Sequence, residues 1–183
     1  MTTTTFMTDE ELLNLPKNGC KYEFVEGELL MSPAGMRQEK VGARLIYLLE
    51  TYLDDNPVAE VFGSNTGYRM PSGNFRSPDV SVVRLERLPG GEIPEGFGYF
   101  APDLAIEVLA PKQSRTKLGK KIEEYFQNGT QLVWVVNEKL KTVTVYTAPD
   151  EFLTLSEKDA LKGAPVLPSF VCPIKEIFKK RSR

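Results

Sequence analysis

The 183-residue chain predicts a single domain of the α/β (α+β) class, with helices flanking one mixed β-sheet. One sign is the helical spacing of apolar residues between positions 37 and 53. Another is the pair of β-rich runs LVWVV and TVTVY, which are separated by the short connection NEKLK and indicate a hairpin. Short strands alternate with two helical segments along the chain, and this order favours one sheet covered by helices.

The predicted elements before the first long helix are a short helix and a hairpin. TDEELLNL (8–15) offers Thr8 as an N-cap with acidic residues in the first turn, and Pro16 ends it. KYEFVEGELLMSP follows as two strands with Glu26 and Gly27 at the turn. We therefore expect an N-terminal extension at 1–20 and the main domain at 21–178.

The remaining elements follow from β-rich runs, apolar periodicity and turn residues. We expect strands at 58–62, 66–70, 79–84 and 104–109, a loop at 88–98, a helix at 114–127 ended by Asn128 and Gly129, a hairpin at 132–146, and a further short strand and closing helix.

Composition excludes several kinds of active site. The chain has no histidine and only two cysteines, Cys20 and Cys172, which are far apart. Histidine-ligated and cysteine-rich zinc sites are therefore excluded, as are nucleophiles that depend on a histidine base. Acid–base groups and metal ligands must be carboxylates, lysines or tyrosines.

The formal net charge of −2 gives no overall attraction to nucleic acid or to anionic membranes. Lysine and arginine cluster locally in KQSRTKLGKK (112–121) and in a basic tail at 179–183. Both clusters are compatible with phosphate contacts, although a solvated helix face and a terminal tail are the simpler interpretations. No secretory signal or membrane span is evident, so we expect a cytoplasmic protein.

Glu107 lies in the middle of an apolar strand, DLAIEVLAP. Burying an ionised carboxylate without a partner is costly, so we expect a cleft, a paired cation or a bound metal at this position. Alternation along the strand places Glu107 on one side with Ala105, and a small neighbour leaves room beside it.

Asp79 directly follows Pro78 at the start of another short strand, with 27 residues between it and Glu107. Two carboxylates on neighbouring strands can share one divalent cation, and oxygen ligands suit Mg²⁺ or Mn²⁺. A nearby lysine is expected to orient or deprotonate a water molecule and to stabilise charge on a phosphate.

These residues resemble the PD-(D/E)XK nuclease superfamily, in which Pro-Asp is followed by an acidic strand and a lysine. More closely, KYEFVEGELLMSPAG, SPDVSVV, APDLAIEVLAP, GKKIEEYFQNGTQLVWVVN and KTVTVY together resemble the Uma-two family of bacterial restriction endonuclease-like proteins. The resemblance covers roughly positions 22 to 178. It implies a restriction-endonuclease-like fold, a Mg²⁺ (or Mn²⁺) cofactor, DNA as substrate and a homodimer that cuts both strands.

The resemblance implies metal-binding roles for Asp79 and Glu107. Leu109 occupies the place of the usual strand lysine, and Lys121 in the following helix matches the position that replaces it in the Uma-like group. On a helix Lys121 lies one turn from both Leu118 and Tyr125 and therefore borders the buried face. Lys117, one turn earlier, is the reserve candidate.

Glu28 is the predicted auxiliary carboxylate, with Glu39 and Glu50 of the first long helix as competitors. Gln38 stands where similar sequences often carry a histidine. If that histidine assists catalysis or binding, Gln38 indicates altered or absent activity.

Structural roles remain open for each of these residues. Asp79 is also typical of a turn after proline, and Glu107 can form a structural salt bridge with Lys121 or Lys117. Asp103 repeats the Pro-Asp pair but lies only four residues before Glu107 on the same strand, which leaves no room for a hairpin.

Three functions are compatible with the sequence. The first is a divalent-metal-dependent endonuclease acting on DNA, with Asp79, Glu107 and Lys121 as its catalytic residues. The second is a catalytically weak or inactive nuclease-fold module that binds DNA or a protein. The third is a metal-dependent hydrolase of small phosphodiesters.

Overall fold

The computed structural model describes residues 7–16, 20–33, 35–111 and 113–180. The α-helices are α1 Asp9–Leu13, α2 Met36–Asp55, α3 Arg115–Gln127 and α4 Ile174–Ile177. The strands are β1 Cys20–Val25, β2 Glu28–Pro33, β3 Ala59–Gly63, β4 Tyr68–Arg69, β5 Phe75–Arg76, β6 Val80–Arg84, β7 Leu104–Val108, β8 Leu132–Asn137, β9 Thr142–Ala148, β10 Glu151–Leu155, β11 Ala160–Lys162 and β12 Val171–Pro173. Parts of the predicted extension (1–6) and of the predicted tail (181–183) lie outside the described residues.

The main sheet has six strands in the order β10-β9-β8-β7-β6-β3. β7 and β8 are parallel, and the other neighbouring pairs are antiparallel. Parallel strands need a long crossover, and α3 provides it between β7 and β8. The mixed sheet flanked by helices is therefore confirmed.

The α2 helix covers one face of this sheet. Its leucines Leu45 and Leu49 are buried against Ile106 of β7 and Trp134 of β8 in the larger hydrophobic core. Burying a leucine side chain stabilises the fold by roughly 2 kcal/mol, so packing rather than helix propensity accounts for most of the stability of α2. Trp134, which is fully buried, stacks on Phe170 with 5.9 Å between ring centroids.

The α3 helix covers the opposite face. Ile122 and Tyr125 pack there with Ala105 of β7 and Val133 of β8. Leu109 also packs against this second core, so β7 presents alternate side chains to the two faces, as predicted.

A second sheet of four strands, in the order β2-β1-β5-β4, lies beside the first. Phe24 of β1 is in register with Phe75 of β5, and Leu12 of α1 packs against both rings. The Thr8 side chain accepts a hydrogen bond from the N–H of Glu11 at 3.2 Å, which confirms the predicted N-cap. The pairing of β1 with β5 brings the early hairpin close to Asp79, three residues after β5.

The long helices lie within two residues of their predicted bounds, whereas the short strands β5, β11 and β12 were not predicted. Two or three residues carry no readable periodicity, because long-range pairing decides their conformation. None of the helices in the described ranges combines the length and the apolar composition needed to cross a membrane.

Candidate active site

Asp79 and Glu107 lie side by side in the main sheet, where β6 begins and β7 ends. The antiparallel register of β6 and β7 pairs Val80 with Ile106, so Asp79, one residue earlier, stands opposite Glu107. Opposed residues of an antiparallel pair project to the same face. The N–H of Val108 also donates to Oδ2 of Asp79 at 2.7 Å. The structure thus brings the two predicted carboxylates together.

Glu107 is buried and is bonded by two groups of α3. Lys121 Nζ lies 2.7 Å from Oε1 of Glu107, and the Tyr125 hydroxyl donates to the same oxygen at 2.7 Å. Lys121 and Tyr125 are four residues apart and therefore project from the same side of the helix. The predicted lysine consequently reaches the predicted acidic strand.

Glu23 of β1 is a third carboxylate of this cluster. Its Oε1 lies 2.9 Å from Lys121 Nζ and accepts the N–H of Ser77 at 3.2 Å. Burial alone would raise the pKa of Glu23, but the positive charges of Lys121, Lys21 and Arg76 outweigh it and lower the pKa to about 2. Glu23 therefore stays ionised and holds Lys121 from the side opposite Glu107.

Arg76 extends the cluster beyond Glu23. Its Nη1 lies 3.5 Å from Glu23 Oε2, and its Nε donates to Glu124 Oε2 at 3.0 Å. Asn74 donates to the other oxygen of Glu124 at 2.8 Å. The Arg76 side chain is only 8% exposed, so these two carboxylates compensate a largely desolvated charge.

Lys21 contacts Asp79 from β1, with 2.8 Å between Nζ and Oδ1, and its side chain is only 10% exposed. The cluster of ionised groups consists of Glu23, Asp79, Glu107, Glu124, Lys21, Arg76 and Lys121. Its carboxylates outnumber its cations by one.

Lys121 is protonated at neutral pH. Burial would lower the pKa of its ammonium, but the carboxylates of Glu107 and Glu23 have the larger combined effect and raise it. An ammonium has three N–H donors, and two of them face these carboxylates. Lys121 can therefore supply charge and a hydrogen bond, but it cannot accept a proton.

A cleft of about 380 Å³ opens beside Asp79. Its walls include Gln38 and Glu39 of α2 and Ser64 in the β3–β4 connection. Gln38 Nε2 donates to the carbonyl oxygen of Val108 at 2.9 Å. Both backbone polar groups of Val108 are thus hydrogen-bonded to side chains, the N–H to Asp79 and the carbonyl to Gln38.

Within the described ranges, no group of three or more carboxylate or cysteine side chains is arranged to hold a metal ion by itself. Mg²⁺ makes a smaller demand, because it is usually held by one or two carboxylates while water and substrate phosphates provide the other oxygens. Asp79 and Glu107 meet that demand, and the groups described above bond Glu107 through Oε1. The donor set fits Mg²⁺ or Mn²⁺.

The other acidic and basic candidates lie outside the cluster. Glu28 is exposed near the turn of the β1–β2 hairpin, Glu39 and Glu50 are exposed on α2, and Lys117 is exposed in the first turn of α3. In the part of the chain that the structure describes, none of the four forms an ion pair with the cluster. The carboxylate that the β1–β2 hairpin contributes to the cluster is Glu23 and not the predicted Glu28.

The sequence contains a signal for Glu23. It lies between Tyr22 and Phe24 in the strand KYEFV, so it is a carboxylate flanked by aromatic residues in a strand. Arg76 has no comparable signal, because the pairing of β5 with β1 buries it.

Asp103 lies at the opposite end of β7 from Glu107 and is fully buried. It accepts hydrogen bonds from the backbone N–H of Arg84 at 2.9 Å and from Arg87 Nη1 at 3.0 Å. These contacts join β7 to the segment after β6. The aspartate of the second Pro-Asp pair is therefore bonded by arginine residues and lies away from the cluster that contains Asp79.

The chain was compared with known proteins at three levels. No curated protein matches it. Among solved structures, it is similar to a protein from Anabaena variabilis described as a "putative nuclease belonging to DUF820", with a TM-score of 0.80 and 28% identity over 94% of this chain and 97% of the other. The family profile of Uma2, described as "Putative restriction endonuclease", matches residues 9–175. This match covers most of the sequence, and the chain therefore belongs to the Uma2 family.

Proposed function

We propose that this protein is a divalent-metal-dependent endonuclease that hydrolyses phosphodiester bonds in DNA. The observation that carries the proposal is the juxtaposition of Asp79, which lines an open cleft, and the buried Glu107, with Lys121 held against Glu107. Membership of a nuclease-like family supports the same reaction class.

Asp79 and Glu107 would hold the ion, Mg²⁺ or Mn²⁺, through carboxylate oxygens. When bound, such an ion stabilises the negative charge that develops on a phosphoryl group during hydrolysis. Binding would require Lys21 to release Oδ1 of Asp79. Gln38 and Asp79 would hold the backbone of Val108 in place beside the carboxylates.

Lys121 would fix Glu107 and direct its remaining N–H toward the attacking water or a phosphate oxygen. The carboxylates of Glu107 and Glu23 raise the pKa of Lys121 in the metal-free protein, which favours a role in positioning the water over a role as general base. Glu23 would be the auxiliary carboxylate in place of Glu28, because it holds Lys121 at 2.9 Å.

The direct test is cleavage of supercoiled plasmid DNA with Mg²⁺ or Mn²⁺. We expect nicked and linear products from the unmodified protein and a loss of at least a hundredfold in rate for Asp79→Asn, Glu107→Gln and Lys121→Met. The matched control is Lys120→Met, because Lys120 is the exposed neighbour of Lys121 on α3. Undiminished cleavage by the Asp79 and Lys121 variants would refute the assignment.

A non-catalytic nuclease-fold module is the second candidate. Lys21 and Lys121 already neutralise Asp79 and Glu107 without a metal, and Leu109 stands where the usual lysine would be. This function predicts salt-sensitive DNA binding that persists in the Asp79→Asn, Glu107→Gln double variant, with no cleavage by the unmodified protein.

A further inference from the structure

A second, larger concave surface lies on the other side of the first turns of α2. This groove, of about 910 Å³, is bounded by α2, by the β8–β9 turn and by the end of the chain from α4 onward. It does not include any residue of the charged cluster, and none of the roles above uses it.

The groove is strongly basic, although the chain as a whole carries a net charge of −2. Its six cationic residues are Arg37, Lys40, Arg44, Lys141, Lys179 and Lys180. The carboxylates of Glu39 and Glu138 also line it, and Glu176 lies beside it. Glu138 is shared between Lys141 at 2.6 Å and Arg37 at 3.6 Å, and Glu176 is shared between Arg44 at 3.2 Å and Lys179 at 3.3 Å. The six cations therefore exceed these three carboxylates by three.

Several of the cationic side chains are accessible to solvent on this surface. Lys40 and Lys180 are exposed, and the Arg37 side chain is 86% exposed. The apolar residues Ile177 and Phe178 line the groove but are buried in the main core. The exposed area of the groove lining is nonetheless mostly apolar, because Met36, Ala43 and the aliphatic stems of the lysine and arginine side chains contribute to it. The excess of cationic groups at the ends of those stems is what favours a polyanion as the ligand.

The groove and the carboxylates lie at the same end of the main sheet. β7 and β8 are parallel, so Glu107 near the end of β7 and Glu138 just after β8 are on the same side. Glu39 and Ala43 of α2 line both the groove and the cleft that contains Asp79. Only α2 separates the two surfaces, a width of roughly 10 Å that corresponds to about three nucleotides of one DNA strand.

We propose that this basic groove binds the phosphate backbone of DNA a few nucleotides from the phosphodiester held at Asp79 and Glu107. The DNA would pass over the first turns of α2, with Arg37, Lys40 and Lys180 contacting phosphates. This inference rests on the proposed function for its substrate, but it concerns a different set of residues.

The test is binding of a fluorescein-labelled 20-base-pair duplex, measured by anisotropy in EDTA at several salt concentrations. We expect the variant Arg37→Gln, Lys40→Gln, Lys180→Gln to bind at least tenfold more weakly at low salt. The slope of log affinity against log salt should fall by about 0.9 for each phosphate that the variant no longer neutralises. The matched control, Lys158→Gln with Lys162→Gln, removes exposed charges outside the groove, and Lys162 lines a cavity at the opposite end of β8. This control should bind as the unmodified protein does.

Plasmid cleavage by the unmodified protein is measured in parallel. Cleavage together with unchanged DNA binding by the groove variant would overturn the groove proposal and leave the proposed function standing. Groove-dependent binding without cleavage would support the groove and refute the catalytic function. Failure of the unmodified protein to bind the duplex, or equal displacement of the DNA by duplex RNA or polyglutamate, would overturn the groove as a DNA site.

Discussion

Lys21 and the proposed metal ion compete for the same oxygen of Asp79. Lys21 Nζ lies 2.8 Å from Oδ1, and its side chain is almost buried, so its charge is poorly screened by solvent. A like charge within about 4 Å opposes a bound cation by roughly 1 to 4 kcal/mol in environments between water and a protein surface. We therefore expect Lys21 to lower the affinity of Asp79 for the proposed metal ion.

Replacing Lys21 by methionine should strengthen Mn²⁺ binding at least tenfold, because the competing charge is removed while the aliphatic stem is kept. Isothermal titration calorimetry of the metal-free proteins measures the change. Lys120→Met, which removes an exposed charge from α3, should leave the affinity unaltered. Weaker or equal Mn²⁺ binding by the Lys21 variant would show that Lys21 does not oppose the ion.

Glu23 makes the metal-free protein sensitive to acid. Its pKa is about 2 in the folded protein against an ordinary value of 4.5, so its stabilising contribution is complete above pH 4.5. That contribution is lost as the pH falls from 4.5 toward 2. We expect the urea midpoint to fall more steeply in this window for the unmodified protein than for Glu23→Gln. Glu157→Gln, an exposed control, should keep the steep slope, and identical slopes for Glu23→Gln would contradict the pairing of Glu23 with Lys121.

At the scale of single elements, the connection into β4 depends on a glycine. A Cβ atom at Gly67 would lie 2.0 Å from the ring of Phe75 in β5, a separation that real structures do not show. The ring belongs to the core that joins α1 to β1, so it cannot move away freely. The absence of a side chain at Gly67 thus allows the chain before β4 to pack closely against Phe75 of β5.

Gly67→Ala should lower the free energy of unfolding by about 1–3 kcal/mol, the usual cost of overpacking a core. Urea denaturation monitored by circular dichroism measures this change. The control is Gly96→Ala, because a Cβ atom at Gly96 would meet nothing within 4 Å. Equal stability of the two variants would mean that Phe75 accommodates the extra methyl group.

The elements that could be predicted from sequence are those whose own residues determine them. The apolar repeat of α2 follows from burial of one helix face, and the alternation of β7 follows from packing against two cores. Asp79 and Glu107 could therefore be placed on neighbouring strands, whereas Lys121 could be assigned only from the resemblance to the Uma-two family. Within the smaller sheet, the hairpin of β1 and β2 was predicted, but its pairing with β5 was not. β5 has two residues and pairs with β1 on one side and with β4 on the other, and its pairing with β1 brings Glu23 rather than Glu28 into the cluster.

Across the whole molecule, the two ends of β7 hold buried carboxylates in different environments, with Asp103 directly before the strand and Glu107 near its end. Asp103 at its start is held by Arg84 and Arg87, while Glu107 near its end faces Lys121 beside the Asp79 cleft. The two positions are about 13 Å apart along the strand. Stability and metal binding should therefore respond separately to substitutions at the two ends.

Asp103→Asn should lower the free energy of unfolding by about 3 kcal/mol, because it removes the charge of the buried carboxylate that Arg84 and Arg87 share. It should not change Mn²⁺ affinity. Asp79→Asn should weaken Mn²⁺ binding at least tenfold. Urea unfolding and calorimetry on both variants measure the two effects, and a loss of Mn²⁺ binding by folded Asp103→Asn would show that the two ends are coupled.

Trp134 gives the molecule an intrinsic fluorescent reporter. It is the single tryptophan of the chain, and its indole Nε1 is buried without a hydrogen-bond partner among the described residues. An indole in apolar surroundings emits at shorter wavelength than one in water, so unfolding should shift the emission to the red. Because Trp134 pairs with Ile106 one residue before Glu107, its fluorescence can follow the strand that carries this proposed metal ligand without an attached dye.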